Sequence, residues 1–140
     1  MDMEITFPGR ARVNAEFDGF VVQTDQIVAA GGEESAPTPF NLFLASLGAC
    51  AGIYALSFLQ HRGIPTEDLR MRLSTEADKT RGMLTKITFS IEVPASFPAK
   101  YVPALVRSVE QCTVKRHLHE PPAFETVVRI ADAEAHVSRS

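Results

Sequence analysis

The sequence predicts an α+β fold with the element order β-β-β-α-β-β-α-β. Three observations predict it. Apolar and polar residues alternate in two separate stretches, a long uncharged helix lies between them, and no strict strand-helix-strand repetition runs through the chain. The first strands are a short run from Ile5 to Phe7 before Pro8-Gly9, and a longer one in which Ala11, Val13, Ala15 and Phe17 fall on one face. Asp18-Gly19 closes a hairpin into a strand from Phe20 to Thr24, and Ala29 to Pro39 reads as an exposed loop. Thr38 supplies a helix N-cap hydroxyl with Pro39 at the first helical position, and Gly63 is the stop. Leu69, Met71 and Leu73 then alternate with polar residues. Asp78 to Gly82 turns the chain into Ile87, Phe89, Ile91 and Val93, a second hairpin with one wet face. Pro103 opens a second helix whose Leu105, Val109 and Cys112 form one inward stripe, and Pro121-Pro122 ends it. A last strand from Phe124 to Ile130 precedes a frayed tail around Arg139.

One domain spanning 1–140 accommodates all of these elements, because 140 residues is about the length of a single domain. A composition with 45% hydrophobic and 22% charged residues supports a packed core and excludes disorder. The net charge of -3 is too balanced and slightly acidic to hold a phosphate backbone, so no nucleic-acid partner is expected. The start, Met-Asp-Met-Glu, lacks the basic and apolar regions of an export signal, and the expected compartment is the cytoplasm.

The first helix is the most informative segment. Leu42 to Leu59 carries no charge and is apolar on every face, with Gly48 and Gly52 spaced as in G-x-x-x-G. Its length is near the lower limit for a membrane span. The alternating strands on both sides and the lack of basic or aromatic anchors at both ends favour a soluble helix instead. A soluble helix apolar all round must be covered all round. One sheet of so short a chain covers one side, so a second copy is expected on the other, with the glycines allowing close approach.

Two cysteines in a reducing compartment are core thiols, metal ligands or redox groups. Cys50 lies mid-helix, one turn from Ser46, Leu47, Ile53 and Tyr54, surroundings that by themselves raise a thiol pKa. Cys112 is followed at the third and fourth positions by Lys115 and Arg116, cations placed to favour a thiolate or bind an anion. Core packing is the plain alternative for both. If the two helices pack face to face, the thiols approach disulfide distance.

The run Pro37-Thr38-Pro39-Phe40-Asn41-Leu42-Phe43-Leu44-Ala45-Ser46-Leu47-Gly48-Ala49-Cys50, the helix onward to Gly63-Ile64, and the late Cys112-Thr113-Val114 resemble the OsmC/Ohr family of thiol peroxidases over nearly the whole chain. The resemblance implies an OsmC-like fold, an intertwined homodimer with curved sheets around two central helices. It implies thiol-dependent reduction of organic hydroperoxides in oxidative stress defence. Cys50 would be the peroxidatic thiolate and become a sulfenic acid. Cys112 would condense with it to a disulfide, and an external dithiol, a lipoyl-type one among the candidates, would reset the pair. No cofactor and no metal is implied. Alkyl or fatty-acid hydroperoxides suit an apolar pocket lined by Phe40, Phe43, Tyr54 and Phe58, for which plain core is the alternative.

The chain departs from the family pattern at one position that matters. Members activate the first cysteine with an arginine on the N-terminal strands, held by a glutamate ten residues before that cysteine, and here that position is Phe40. Arg10 or Arg12 remains to supply the positive charge, with Arg12 the better placed because it lies within the alternating strand, opposite its apolar face. Asp25, Glu33 and Glu34 lie in or beside the loop before the helix, where solvated charge is the default, yet one of these carboxylates can orient the arginine if the loop folds back. Thr113 stands where a proline often follows the second cysteine, a lesser difference. His117 and His119, two apart on a helix, point to different faces and do not form a metal pair. Two rival readings stand beside the peroxidase. One is a non-catalytic dimeric binder or sensor of an apolar small molecule on the same fold. The other is a hot-dog-like thioesterase, which lacks a carboxylate at the helix start, where Phe40-Asn41 stand.

Overall fold

The fold is described from a computed structural model, which covers residues 1–130 and the backbone of 136–139. Strands β1 (Glu4–Gly9), β2 (Arg12–Phe17) and β3 (Phe20–Thr24) form an antiparallel meander in that order. The β2-β3 loop contains Asp18 and Gly19 alone, both at positive φ (48° and 80°) as a type I′ turn demands, and it sets Phe17 opposite Phe20. Helix α1 (Pro39–Gln60) begins as expected: Thr38 Oγ1 accepts the Asn41 N–H at 3.2 Å and Pro39 occupies the first turn. It stops before Gly63, whose φ of +63° reverses the chain so that the Ile64 N–H closes onto the Leu59 carbonyl at 3.0 Å. Strands β4 (Arg70–Asp78) and β5 (Met83–Glu92) form a second antiparallel pair, with Met71 opposite Ile91 and Leu73 opposite Phe89.

The core lies between α1, α2 (Val102–Glu110) and the inner face of β4-β5. Ala51, Ala55 and Leu59, spaced one turn apart on α1, pack with Phe58, Leu105, Val109 and Cys112, and Met71, Phe89 and Ile91 close the layer. No residue of β1-β3 enters this cluster. Phe7 and Phe20 on that sheet are 77% and 67% exposed, so the meander has an apolar surface that its own chain leaves uncovered. Much of α1 is likewise uncovered: only 28% of its most apolar 18-residue window is buried, and a Cβ added at Gly52 would meet nothing within 4 Å.

Three expectations are corrected. The second helix is not continuous from Pro103 to Pro121. It breaks at Gln111-Cys112 into α2 and α3 (Thr113–His119), with Cys112 extended at φ -48° and ψ 124°. The tail around Arg139 is not frayed as far as that residue, because His136–Arg139 forms β7 and pairs antiparallel with β6 (Glu125–Val128). Ser140 lies outside the described residues. The loop before α1 is ordered around a buried carboxylate. Asp25 is fully buried, not solvated, and accepts hydrogen bonds from the N–H groups of Gln26, Glu33 and Ser35 and from the Ser35 hydroxyl. These donors hold its pKa well below the ordinary carboxylate value, against the opposing effect of burial. Gly32 in this loop is obligatory, since a Cβ there would run into the Gln26 carbonyl.

Candidate active site

Cys50 and Cys112, 62 positions apart, meet where the middle of α1 faces the break between α2 and α3. Cys112 is fully buried and Cys50 half-buried, and neither is in a disulfide. The break places free backbone donors beside the thiols. A continuous helix would tie the amides of 113–115 to carbonyls one turn back, whereas the first residues of a new helix leave their N–H groups free. Burial pushes the Cys50 thiol up, but the Cys112 S–H and the Val114 and Thr113 N–H groups all donate to its sulfur, and the net direction is down. Cys112 moves the other way. Burial pushes it up, donating to Cys50 pushes it further, and the Lys115 and Val114 amides only partly offset this. The two thiols are therefore displaced in opposite directions, Cys50 toward the thiolate and Cys112 away from it.

Other predicted site residues are dispersed. Tyr54 lies one turn beyond Cys50, its hydroxyl 3.4 Å from Thr113 Oγ1, and the Ser108 hydroxyl donates to its carbonyl at 3.5 Å. Phe58 is buried in an aromatic cluster with Phe97 and Tyr101. Phe40, 53% exposed, stacks on Phe43 at the opposite end of α1. Phe40 to Phe58 spans about 27 Å of helix at 1.5 Å per residue. The four aromatics therefore do not line one pocket within a chain. Tyr54 and Phe58 share a groove between α1 and α2 with Ile53, Ala104 and Arg107, among others, and neither Phe40 nor Phe43 reaches it.

Arg12 is not among the groups hydrogen-bonded to Cys50. Its Nη2 lies 3.9 Å from Glu33 Oε2, while Arg10 Nη1 lies 3.2 Å from Glu33 Oε1, so one carboxylate bridges both candidate arginines. The Nε of Arg12 is buried without a hydrogen-bond partner. Lys115 does not serve as an exposed helix cation. Its ammonium pairs with Glu110 at 2.8 Å and sits 4.3 Å from the centre of the Phe89 ring. Sequence reasoning missed the amides of Thr113 and Val114, which favour the Cys50 anion in support of the Cys112 S–H. Only the pattern of a helix start could have revealed them, and Gln111-Cys112-Thr113 contains no glycine or proline to mark one.

Two remote cysteines brought together at a helix start, one favoured as the anion and one as the donor, define a two-thiol α+β protein. The chain belongs to the OsmC-like family: the family described as OsmC-like protein matches residues 31–127, a span that holds both cysteines. Solved structures agree on the fold. An OsmC-like protein from Mycoplasma pneumoniae superposes with a TM-score of 0.67 at 17% identity, over 86% of this chain and 87% of that one. The organic hydroperoxide resistance protein OhrB of Bacillus subtilis does so at 0.52 and 22% identity, over 86% and 93%. An OsmC-like hydroperoxide resistance protein from a Jannaschia species gives 0.55 and 19%, over 94% and 93%. No curated protein matches the chain in sequence.

Proposed function

We propose that this protein reduces organic hydroperoxides with a dithiol as electron donor. The observation that carries the reading is the hydrogen-bonded pair itself, Cys50 as incipient thiolate and Cys112 as its proton donor at the start of α3. The printed names of the Bacillus and Jannaschia structures, both hydroperoxide resistance proteins, support a redox role in stress defence.

The Cys50 thiolate attacks the terminal peroxide oxygen. The O–O bond breaks, the alcohol leaves after taking up a proton, and the sulfur becomes a sulfenic acid, two electrons having passed from sulfur to the peroxide. The Cys112 sulfur then attacks the Cys50 sulfur, its proton leaves with the hydroxyl as water, and a Cys50–Cys112 disulfide forms. An external dithiol takes the disulfide back to two thiols and is itself oxidised. The sulfur atoms carry both electrons, so the cycle needs no cofactor or metal. A reducing cytoplasm is its natural setting.

The same reading assigns the uncovered surfaces to a homodimer. The bare flank of α1 with its two glycines and the exposed Phe7 and Phe20 are suited to burial against a second copy. Arg12, held with Arg10 by Glu33 on a sheet that adds nothing to its own core, is proposed to face Cys50 across that interface. Glu33 then does the holding that Phe40 cannot. Turnover of cumene hydroperoxide with a dithiol tests the function. The wild type should consume peroxide and Cys50→Ser should not; no consumption by the wild type with any dithiol rules the reading out and leaves the non-catalytic binder. An activated Cys50, alkylated well below the pH of an ordinary thiol, separates the two independently.

A further inference from the structure

Helix α3 has little of its own to hold it in place. Its 7 residues are too few for a stable helix in water, its N-cap Cys112 makes no capping hydrogen bond through the side chain, and no acid stands in its first turn. Its first amides nevertheless have to meet the sulfurs. Those of Thr113 and Val114 reach Cys50, and those of Val114 and Lys115 reach Cys112. The one residue of α3 that is buried is a lysine, Lys115.

Lys115 is 9% exposed, a position where an apolar side chain would avoid the cost of desolvating an ammonium. Two neighbours receive that charge. Glu110, the last residue of α2, accepts a hydrogen bond from Nζ at 2.8 Å, and the centre of the Phe89 ring on β5 lies 4.3 Å from the same nitrogen. The pair spans Gln111-Cys112 and so ties the end of α2 to the first turn of α3 across the break. It stands in a groove of about 610 Å³ beside α1, β5 and α3, whose other titratable lining residues are Lys86 and His119. Lys86 is taken by Glu76 at 3.1 Å, and Glu110 is the one acid among the lining residues. The Glu110 side chain is 57% exposed, so the pair adds little to overall stability. What it supplies is register, the use for which a buried ionic group is best suited.

We infer that Lys115, gripped by Glu110 and Phe89, is a positioning residue that sets the first turn of α3 so that the Thr113 and Val114 amides meet the Cys50 sulfur. The cation that the sequence places beside Cys112 thus acts through the backbone and not by its charge. Sign separates the two effects. Taking a carboxylate away from the neighbourhood of a thiol ordinarily favours the thiolate, since a negative charge is lost and the ammonium is no longer neutralised. Loss of the tie disfavours it, because the amides leave the sulfur.

The test is the rate of Cys50 alkylation by iodoacetamide as a function of pH in the Cys112→Ala protein, together with hydrogen exchange at residues 113 and 114. Glu110→Ala changes the exposed partner and should leave urea unfolding nearly unchanged. It should move the alkylation profile to higher pH, slow the reaction about fivefold near neutrality, the scale of one hydrogen bond to a charged sulfur, and speed exchange at both amides. Glu110→Gln keeps an oxygen for the ammonium and should return most of the rate. In Thr113→Pro, where one amide is already gone, Glu110→Ala should slow the reaction less than it does alone. A profile that stays in place or moves to lower pH, unchanged exchange at residues 113 and 114, or full additivity with Thr113→Pro overturns the inference. It rests on the function proposed above only in taking Cys50 as the reactive thiol; absence of peroxidase activity would sink that function without altering these profiles.

Discussion

Thr113→Pro tests the contribution of one helix-start amide to the acidity of Cys50. Thr113 is the first residue of α3, the helical position where proline fits best, and Cys112 before it is already out of the helical region with ψ at 124°, in the range that a following proline favours. The substitution therefore removes one N–H that donates to the Cys50 sulfur while the backbone is already shaped to accept it. A hydrogen bond to a charged group is worth about 1.5–3 kcal/mol, and solvent screening at the half-buried Cys50 reduces this to roughly 1 kcal/mol. One kcal/mol is about a fivefold fall in thiolate population at a pH below the thiol's titration. The assay is the rate of Cys50 alkylation by iodoacetamide as a function of pH, in a Cys112→Ala background so that a single thiol is read. Thr113→Pro should move the profile to higher pH and slow the reaction about fivefold near neutrality. Thr113→Val keeps the N–H and loses only the contact with Tyr54, so its profile should stay in place. A Thr113→Pro profile that does not move, or moves to lower pH, refutes the role assigned to the Thr113 amide.

Other outcomes follow from the same geometry. Cys112→Ser should let one equivalent of hydroperoxide oxidise Cys50 to a sulfenic acid, trapped by dimedone and seen by mass, with no recycling; undiminished multiple turnover would remove Cys112 from the cycle. Leu59→Ala, at a side chain with no exposed surface, should cost about 2–5 kcal/mol in urea unfolding, and a loss under 1 kcal/mol would contradict the core described. Asp25→Asn should loosen the loop before α1, seen as faster hydrogen exchange at the Gln26, Glu33 and Ser35 amides, whereas unchanged protection would deny Asp25 that role. The folded pKa of Asp25 lies below its unfolded value, so its carboxylate adds stability above the ordinary 3.8 and loses it only as pH falls toward the folded value. In the wild type these amides should accordingly remain protected at pH 4, and exposure there would contradict the assigned direction.

The elements that repeat a local rule were legible in the sequence. Asp18-Gly19 specified a two-residue turn, Thr38-Pro39 and Gly63 bounded α1, and alternation from Leu69 to Val93 outlined the second hairpin. What escaped depended on interactions between distant residues. Asp25 looked like a solvated loop charge because nothing local shows a carboxylate collecting amides ten residues away; a loop carboxylate orienting the arginine was foreseen, but nothing local singled out Glu33 or showed that it lies between Arg10 and Arg12. Lys115 looked like a cation for Cys112, but Glu110 and Phe89 claim it. The strand at His136–Arg139 contains a single apolar residue, Val137, too few to show a period. Both cysteines were evident as residues, yet the break that arms one of them left no mark.

The account stands on electrons passing between two particular sulfurs. Treating the reduced protein with one equivalent of cumene hydroperoxide, blocking remaining thiols and mapping the peptides by mass spectrometry observes that directly. The expected product is a single cross-linked peptide pair joining Cys50 to Cys112 within one chain, absent from Cys50→Ser. Two alkylated thiols and intact hydroperoxide after the same treatment would contradict it.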